Sequence, residues 1–126
     1  MSRSRVVMLL VAGGLALAAC ARDHETAEAA ANASIGIATS QMFVTIENKA
    51  GTPLVNLNVT IHAPGAPPYG HFISRLESAE KRDISLADFS SRDGTSFSLR
   101  LVTPRSVQVT ASDLTSKQYD AETRWR

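Results

Sequence analysis

Few side chains in this sequence could act as thiol nucleophiles or as ligands of a soft metal ion. Its 126 residues include one cysteine, Cys20, and three histidines. The cysteine follows Val6–Ala19, a run of fourteen residues without a charged side chain. A helix of that length rises about 21 Å, short of the roughly 30 Å hydrocarbon core of a bilayer. The run length, the basic start at Arg3 and Arg5 and the small residues before Cys20 are typical of a secretory signal.

The end of this run, Leu17-Ala18-Ala19-Cys20, resembles the lipobox of bacterial lipoproteins. In that family the cysteine thiol receives a diacylglyceryl group, the chain is cut just before it, and the new amino terminus is usually acylated. The resemblance implies a signal peptide over residues 1–19 and a lipid anchor at Cys20 that makes the membrane a partner. Several acyl chains hold a protein on a bilayer stably, whereas one chain binds only marginally. The alternative is an ordinary secretory signal followed by a chance cysteine.

The residue after the predicted lipid site is Ala21. Lipoproteins kept at the inner membrane often carry Asp there, so the resemblance implies an outer-membrane location that faces the periplasm. Cleavage before Cys20 would lower Lys plus Arg from 13 to 11 and leave Asp plus Glu at 12, a net charge of −1. Because this balanced charge includes no basic cluster, we predict no nucleic-acid partner.

Residues 21–40 contain seven alanines and no aromatic side chain, and their apolar and polar residues do not alternate. Nothing bulky and apolar in this stretch could dock it on a core. The composition predicts that the lipidated cysteine and a flexible tether occupy residues 20–40. Such a tether would reach about 25 Å as a flexible coil and hold the folded part off the bilayer.

From Gln41 onwards, apolar and polar residues alternate with a period of two, which indicates half-buried strands. The longest run places Val55, Leu57, Val59, Ile61 and Ala63 on one face. Turn residues such as Gly51 and Gly94 separate the runs. The other predicted strands lie at Met42–Ile46, Phe72–Leu76, Arg82–Leu86, Phe97–Leu101, Val107–Ala111 and Tyr119–Trp125. About seven short strands without helices between them predict one all-β domain over residues 41–126, an antiparallel β-sandwich.

Three stretches resemble bacterial immunoglobulin-like modules. VTIENKAGTPLVNLNVTI, residues 44–61, resembles their opening strand, Asn, Gly-containing turn and second strand. RLESAEKRDISL, residues 75–86, resembles the link between their middle strands, with Ser78-Ala79-Glu80 in place of a Gly-Glu turn. VQVTASD followed by KQYDAE resembles their closing hairpin. The resemblance implies an immunoglobulin-like sandwich, a fold that commonly serves as a spacer or partner-binding unit on envelope proteins.

The histidines after residue 40 are His62 and His71. They could in principle bind copper together with Met42, but two unaligned imidazoles and one predicted core methionine make a poor copper site. The sequence contains no nucleophile elbow, phosphate-binding glycine loop or EF-hand loop. We therefore predict no metal site, no cofactor and no catalytic residue, so that the protein is not an enzyme.

The stretch PGAPPYGHF, Pro64–Phe72, is the candidate contact site for a partner. Three prolines stiffen it, and a stiff loop loses less entropy on binding. Tyr69 and His71 are the predicted contact residues, because neither lies on a predicted core face. The alternative is a rigid connection whose Tyr69 or Phe72 folds onto the core.

Two classes of function follow from these features. The first is a lipid-anchored, non-catalytic envelope module that binds another protein or a cell-wall polymer, or that forms part of an assembly. The second is a small periplasmic enzyme or metal carrier.

Overall fold

The computed structural model describes residues 34–126, which belong to one compact unit. The predicted signal peptide, Cys20 and the tether up to residue 33 lie outside the described residues. Within residues 34–126, no helix is long and apolar enough to cross a membrane. The elements in chain order are β1 (Ile35–Thr39), β2 (Phe43–Asn48), β3 (Leu54–His62), β4 (Tyr69–Leu76), β5 (Lys81–Ser85), a 3-10 turn (Leu86–Asp88), β6 (Ser106–Asp113) and β7 (Gln118–Arg124).

The seven strands form two antiparallel sheets, one in the order β1-β2-β5 and one in the order β4-β3-β6-β7. Apolar residues from both sheets form a single buried core, as in a β-sandwich. The prediction of an all-β domain with about seven strands and almost no helix is therefore confirmed. The largest fully buried apolar side chains are Phe89, Ile35, Ile46, Leu54, Leu57, Ile61 and Leu76.

The middle of β3 follows the predicted alternation. Leu57, Val59 and Ile61 are fully buried, whereas Asn58 between them is exposed. The turn before β3 contains Gly51 with a φ of +79°, a conformation that glycine adopts without steric cost. The inner face predicted for this part of β3 is confirmed.

The start of β3 departs from the alternation at an irregularity between Val55 and Asn58. Asn56 has a φ of +53°, so Leu54 is fully buried and Val55 only partly. A matching step occurs in β4, where Ile73 and Leu76 are buried three residues apart. The inner faces predicted from a strict period of two are wrong at these two places. Strand β3 has one extra residue relative to β6, and β4, which stays in register with β3, changes phase at the same level.

Strand β1 lies inside the range predicted as tether. Ile35 is buried, and Ile37 is paired with Ile46 of β2. The prediction of a tether up to residue 40 is therefore wrong for β1, which is an edge strand of the smaller sheet.

The predicted strand over Phe97–Leu101 is absent, although Phe97 is buried. The amide of Phe97 donates to the carbonyl of Phe89 over 2.8 Å. The chain then turns, because the Ser98 carbonyl accepts hydrogen bonds from the amides of Leu101 and Val102 at 3.1 and 3.0 Å. Leu101 is consequently exposed instead of lying in a sheet.

The strand connections divide between two ends of the molecule. The near end contains Ser34, where the described chain enters, and the connections 49–53, 77–80 and 114–117. The far end contains the connections 40–42 and 63–68, the segment 98–105 and residues 125–126. At the far end, the Thr39 hydroxyl donates to the Arg126 carbonyl over 3.5 Å and so links the two sheets. The nine residues of β3 separate the two ends by about 30 Å.

Candidate functional site

Tyr69, a predicted partner contact, belongs to the core. Its exposed fraction is 5%, and it is paired with Ile61 across β3 and β4. Its ring lies edge-on to Phe97, with 5.3 Å between the ring centroids. The prediction that Tyr69 is available to a partner is wrong, and the alternative of a rigid connection with Tyr69 on the core describes the structure.

His71, the second predicted contact, also lies on the inner face of β4. It is paired with Val59, is partly buried, and stacks near Phe89 with 5.8 Å between ring centroids. Its Nδ1 is 3.2 Å from the carbonyl oxygen of Asp88. The prediction that His71 lies off the core face is wrong. Phe72, the other aromatic residue of this strand, is the exposed one at 56%.

The structure does not bring the histidines together. His62 lies on the outer face of the larger sheet, where its Nε2 is 3.0 Å from Oε1 of Gln108. Gln108 in turn donates its amide to Asp120 over 3.0 Å. His71 is on the opposite face, and Met42 is exposed in the β1–β2 connection. Residues 34–126 contain no group of three or more His, Cys, Asp or Glu side chains that could hold a metal ion.

Two carboxylates stabilise turns through hydrogen bonds. Asp93 accepts hydrogen bonds from the Ser91 hydroxyl and, over 3.1 Å, from the Thr95 amide. The Ser91 hydrogen bond is the main cause that lowers the pKa of Asp93 to about 2. A carboxylate with this pKa is ionised at neutral pH and does not act as a general acid there.

Asp113 plays the same role in the β6–β7 hairpin. One of its oxygens accepts from the Thr115 hydroxyl at 2.6 Å and from the amides of Thr115 and Lys117 at 2.8 and 3.0 Å. The other accepts from the Tyr119 hydroxyl at 3.2 Å. These hydrogen bonds, led by that of the Thr115 hydroxyl, lower the pKa of Asp113. Burial and the bond to Asp113 raise the pKa of Tyr119.

The Asn48 side chain forms hydrogen bonds that hold the other connections of the near end in place. Its side chain is fully buried, and its amide nitrogen donates to the carbonyls of Thr52, Leu76 and Glu77 at 2.9 to 3.1 Å. Its amide oxygen accepts from the backbone N–H of Ala50 over 2.9 Å. One side chain thus joins the end of β2 to the β2–β3 turn and to the β4–β5 connection.

The far end instead carries an open groove of about 570 Å³. One wall is Pro64–Ala66 from the β3–β4 connection, and the other is Leu101–Arg105. The Arg105 amide donates to the His62 carbonyl over 2.7 Å and joins the two walls. We call this feature the far-end groove.

Both walls of the far-end groove are stiff. The Ala66 amide donates to the Ala63 carbonyl over 3.3 Å in a turn where Gly65 has a φ of +72°. The opposite wall begins with the two hydrogen bonds to the Ser98 carbonyl and contains Pro104. Prolines and closed turns fix a backbone before any ligand binds.

Exposed apolar side chains concentrate at the far end. Residues 34–126 contain six exposed large apolar side chains, and four of them lie there: Met42 (68% exposed), Phe43, Leu99 and Leu101 (86% exposed). The near end exposes only Leu114 of this group. Exposed apolar surface marks interaction sites when it exceeds the scatter of single residues.

Exposed arginines accompany these apolar residues. Arg100, Arg105, Arg124 and Arg126 lie in the far-end segments or at the far end of β7. The ion pairs among residues 34–126 are Arg75–Glu77, Lys81–Glu47 and Arg82–Glu80, so none involves the far-end arginines. A guanidinium without a carboxylate partner is free to bind one from another molecule.

Searches of protein-family profiles, curated proteins and solved structures find no match to this chain.

The sequence does not predict the far-end groove, because the two walls come from segments that are far apart along the chain. Pro64–Ala66 lies within the predicted contact stretch, but Leu101 was placed on a strand face. The signal that could have found the second wall is Pro104, which ends the Phe97–Leu101 alternation close to Arg100 and Arg105.

Proposed function

We propose that this protein is a non-catalytic binding module of the bacterial cell envelope, anchored by lipid at Cys20 to the outer membrane and facing the periplasm. It contacts a partner protein through the far end. The observation that carries this proposal is the concentration, at the end opposite Ser34, of exposed apolar side chains and of arginines that form no ion pair within residues 34–126. Fourteen residues, Ala21–Ser34, separate the proposed anchor at Cys20 from the start of β1. The point of attachment is thus at the near end, and the far end is left for a partner.

The strand order supports an immunoglobulin-like identity for the sandwich. In immunoglobulin domains strands A, B and E share one sheet and strands C, F and G the other. Here β1, β2 and β5 occupy the first set of positions, and β3, β6 and β7 the second. Strand β4 lies beside β3 and not beside β5, which is a variation on the constant-type order.

The β4–β5 connection gives further support to this resemblance. Ala79 has a φ of +64°, the left-handed conformation that favours glycine. This residue stands where the resembled modules have a Gly-Glu turn. Its amide donates to the Asn48 carbonyl over 2.9 Å, which closes the connection on β2.

The anchor is tested with Cys20→Ser in the full chain. We expect this variant to lose labelling by a fatty-acid analogue and to remain uncut or to leave the membrane fraction. The matched control is Ser34→Ala, which should be labelled and processed like the wild type. Unchanged processing and membrane partition of Cys20→Ser would contradict the anchor.

The far-end contact is tested by cross-linking in intact envelopes. We expect the wild-type protein to give a specific cross-linked partner, and the double variant Met42→Ser/Leu101→Ser to lose most of it. Leu114→Ser removes a comparably exposed apolar side chain at the near end and should retain the product. The absence of any cross-linked partner, or an equal loss in Leu114→Ser, would contradict the proposal.

A further inference from the structure

We infer that the far-end groove binds an acidic peptide segment that carries an apolar side chain. This inference rests on the proposed function, since it names the chemistry of the partner that the far end contacts. The groove volume of about 570 Å³ lies within the roughly 300–1,000 Å³ of typical ligand sites. The groove therefore has room for a few side chains of a bound peptide.

The lining of the groove selects an apolar side chain. Leu101 is 86% exposed, and Val102 and Ala66 beside it are partly buried against the core. Pro64 and Pro104 add apolar ring surface. Removing such apolar surface from water favours association. An apolar residue of the partner would cover Leu101, which has no cover within the described chain.

The charge of the groove selects a carboxylate. Arg105 is part of the lining, and Arg100 immediately precedes Leu101. Neither guanidinium forms an ion pair with a carboxylate of residues 34–126. Arginine binds carboxylates through two parallel hydrogen bonds, which fix the orientation of the acid as well as its charge. An Asp or Glu close to the apolar residue of the peptide would satisfy this geometry.

The groove exists before binding. Its walls are joined by the bond between Arg105 and His62, and each wall is closed by its own turn. A preformed site avoids much of the entropy cost of ordering a loop on binding. This rigidity suits recognition of a short segment, which itself loses chain freedom when it binds.

A peptide explains the groove better than an anionic bilayer does. Exposed apolar residues and arginines would also attract a surface of acidic lipids. A lipid surface, however, needs projecting side chains and gains nothing from a walled depression between Pro64–Ala66 and Leu101–Arg105. The groove therefore favours a chain segment, and lipid binding is an outcome that the experiment separates.

The experiment selects from a random peptide display library on the full chain held in mild detergent. We expect the enriched peptides to carry Asp or Glu within about three positions of Leu, Ile or Phe. A synthetic peptide from this set should bind Arg105→Gln about tenfold more weakly in fluorescence anisotropy, with partial recovery in Arg105→Lys. Leu101→Ser should weaken binding to a similar degree, and the controls Leu114→Ser and Arg75→Gln should bind like the wild type.

The variants should melt at the same temperature as the wild type, because Leu101 and Arg105 are exposed. An unchanged melting temperature would show that weaker binding is not caused by unfolding. No enrichment, enrichment of peptides without acids, or binding that is insensitive to Arg105→Gln would each overturn the inference. Leu101-dependent binding to vesicles of phosphatidylglycerol without peptide enrichment would overturn it in favour of a lipid surface. The proposed function is judged separately by cross-linking. A partner that is captured through Met42 and unaffected by Arg105→Gln would leave that proposal standing and remove this one.

Discussion

The two ends of the sandwich use their polar groups in opposite ways. At the near end, Asn48 and Asp113 direct their side chains to backbone groups of the connections and leave those groups satisfied within the chain. At the far end, the Ser40 hydroxyl holds the 40–42 connection and prolines and short turns hold the others. Arg100 and Arg105 there have no carboxylate partner among residues 34–126. Under the proposed function, the groups that stabilise the fold and the groups that bind a partner therefore lie at opposite ends of β3.

The contrast between the two ends leads to two expectations about variants. Removing a polar side chain at the near end should destabilise the fold, because buried backbone groups lose their partners. Removing an exposed side chain at the far end should leave the fold intact and change only what the protein binds.

The largest effect is expected for Asn48→Ala. The variant removes an amide that satisfies the carbonyls of Leu76 and Glu77 and the N–H of Ala50. We expect the free energy of unfolding to fall by about 3 kcal/mol, since several buried groups lose hydrogen bonds at once. Urea denaturation measures the loss, with the exposed Lys49→Ala as control. A loss no greater than that of the control would remove the basis of the comparison.

The second effect concerns Asp113 and depends on pH. Its pKa is lowered in the folded state, so its carboxylate stabilises the protein above the unfolded-state pKa of about 3.9. This contribution is lost as the pH falls through the folded-state pKa. We therefore expect Asp113→Asn to be less stable than the wild type at pH 7, and the gap to narrow on acidification towards pH 3.

The control for this experiment is Asp120→Asn, which changes an exposed carboxylate on the adjacent strand. Thermal melts of the three proteins across this pH range give the comparison. If the difference in melting temperature between the wild type and Asp113→Asn stays constant with pH, the charge of Asp113 does not stabilise the hairpin.

A smaller effect of opposite sign is expected for Ala79→Gly. Ala79 has a φ of +64° at the near end, where an L-residue is strained and glycine is not. The relief exceeds the extra freedom that glycine gives the unfolded chain, so we expect the free energy of unfolding to rise by about 0.5 kcal/mol. Differential scanning calorimetry would detect this gain in stability. The control is Ala87→Gly, at an exposed position of the 3-10 turn. A melting temperature below that of the wild type would contradict the strain.

The smallest effect on stability is expected at the far end. Leu101→Ser removes an apolar side chain that is 86% exposed, so its free energy of unfolding should lie within about 0.5 kcal/mol of the wild type. Val102→Ser, which changes the partly buried neighbour, should destabilise the protein more. Urea denaturation of both tests this order, and a large loss in Leu101→Ser would show that the far end supports the fold after all.

The sequence predicts the strand-rich architecture because turns and alternation are local signals. It predicts the centre of β3 correctly, where Val59 and Asn58 have a regular phase. It misses β1, whose outward positions are Gly36 and Ala38 and not polar residues, so that no contrast between faces is visible. It predicts a strand up to Leu101, where the alternation is present but the Ser98 carbonyl closes a turn instead.

The candidate site was harder to predict for a geometric reason. A period of two through Phe72, Ser74 and Leu76 leaves Tyr69 off the predicted core face, whereas β4 changes phase between Ile73 and Leu76, so that Tyr69 is buried. The far-end groove joins Pro64–Ala66 to Leu101–Arg105, and only the pairing of β3 with β6 brings these segments together. No local pattern carries that information.

The irregularity of β3 at Asn56 lies beside Ser74 of β4, since Val55 is paired with Arg75 and Leu57 with Ile73 on either side of them. Deleting Asn56 alone would make β3 regular against β6 but would turn Ile73 to solvent. Deleting Ser74 as well would return Ile73 to the core. We therefore expect insertions and deletions at these two positions to occur together. Homologues should have either both residues or neither, and an alignment would show the two gaps in the same sequences.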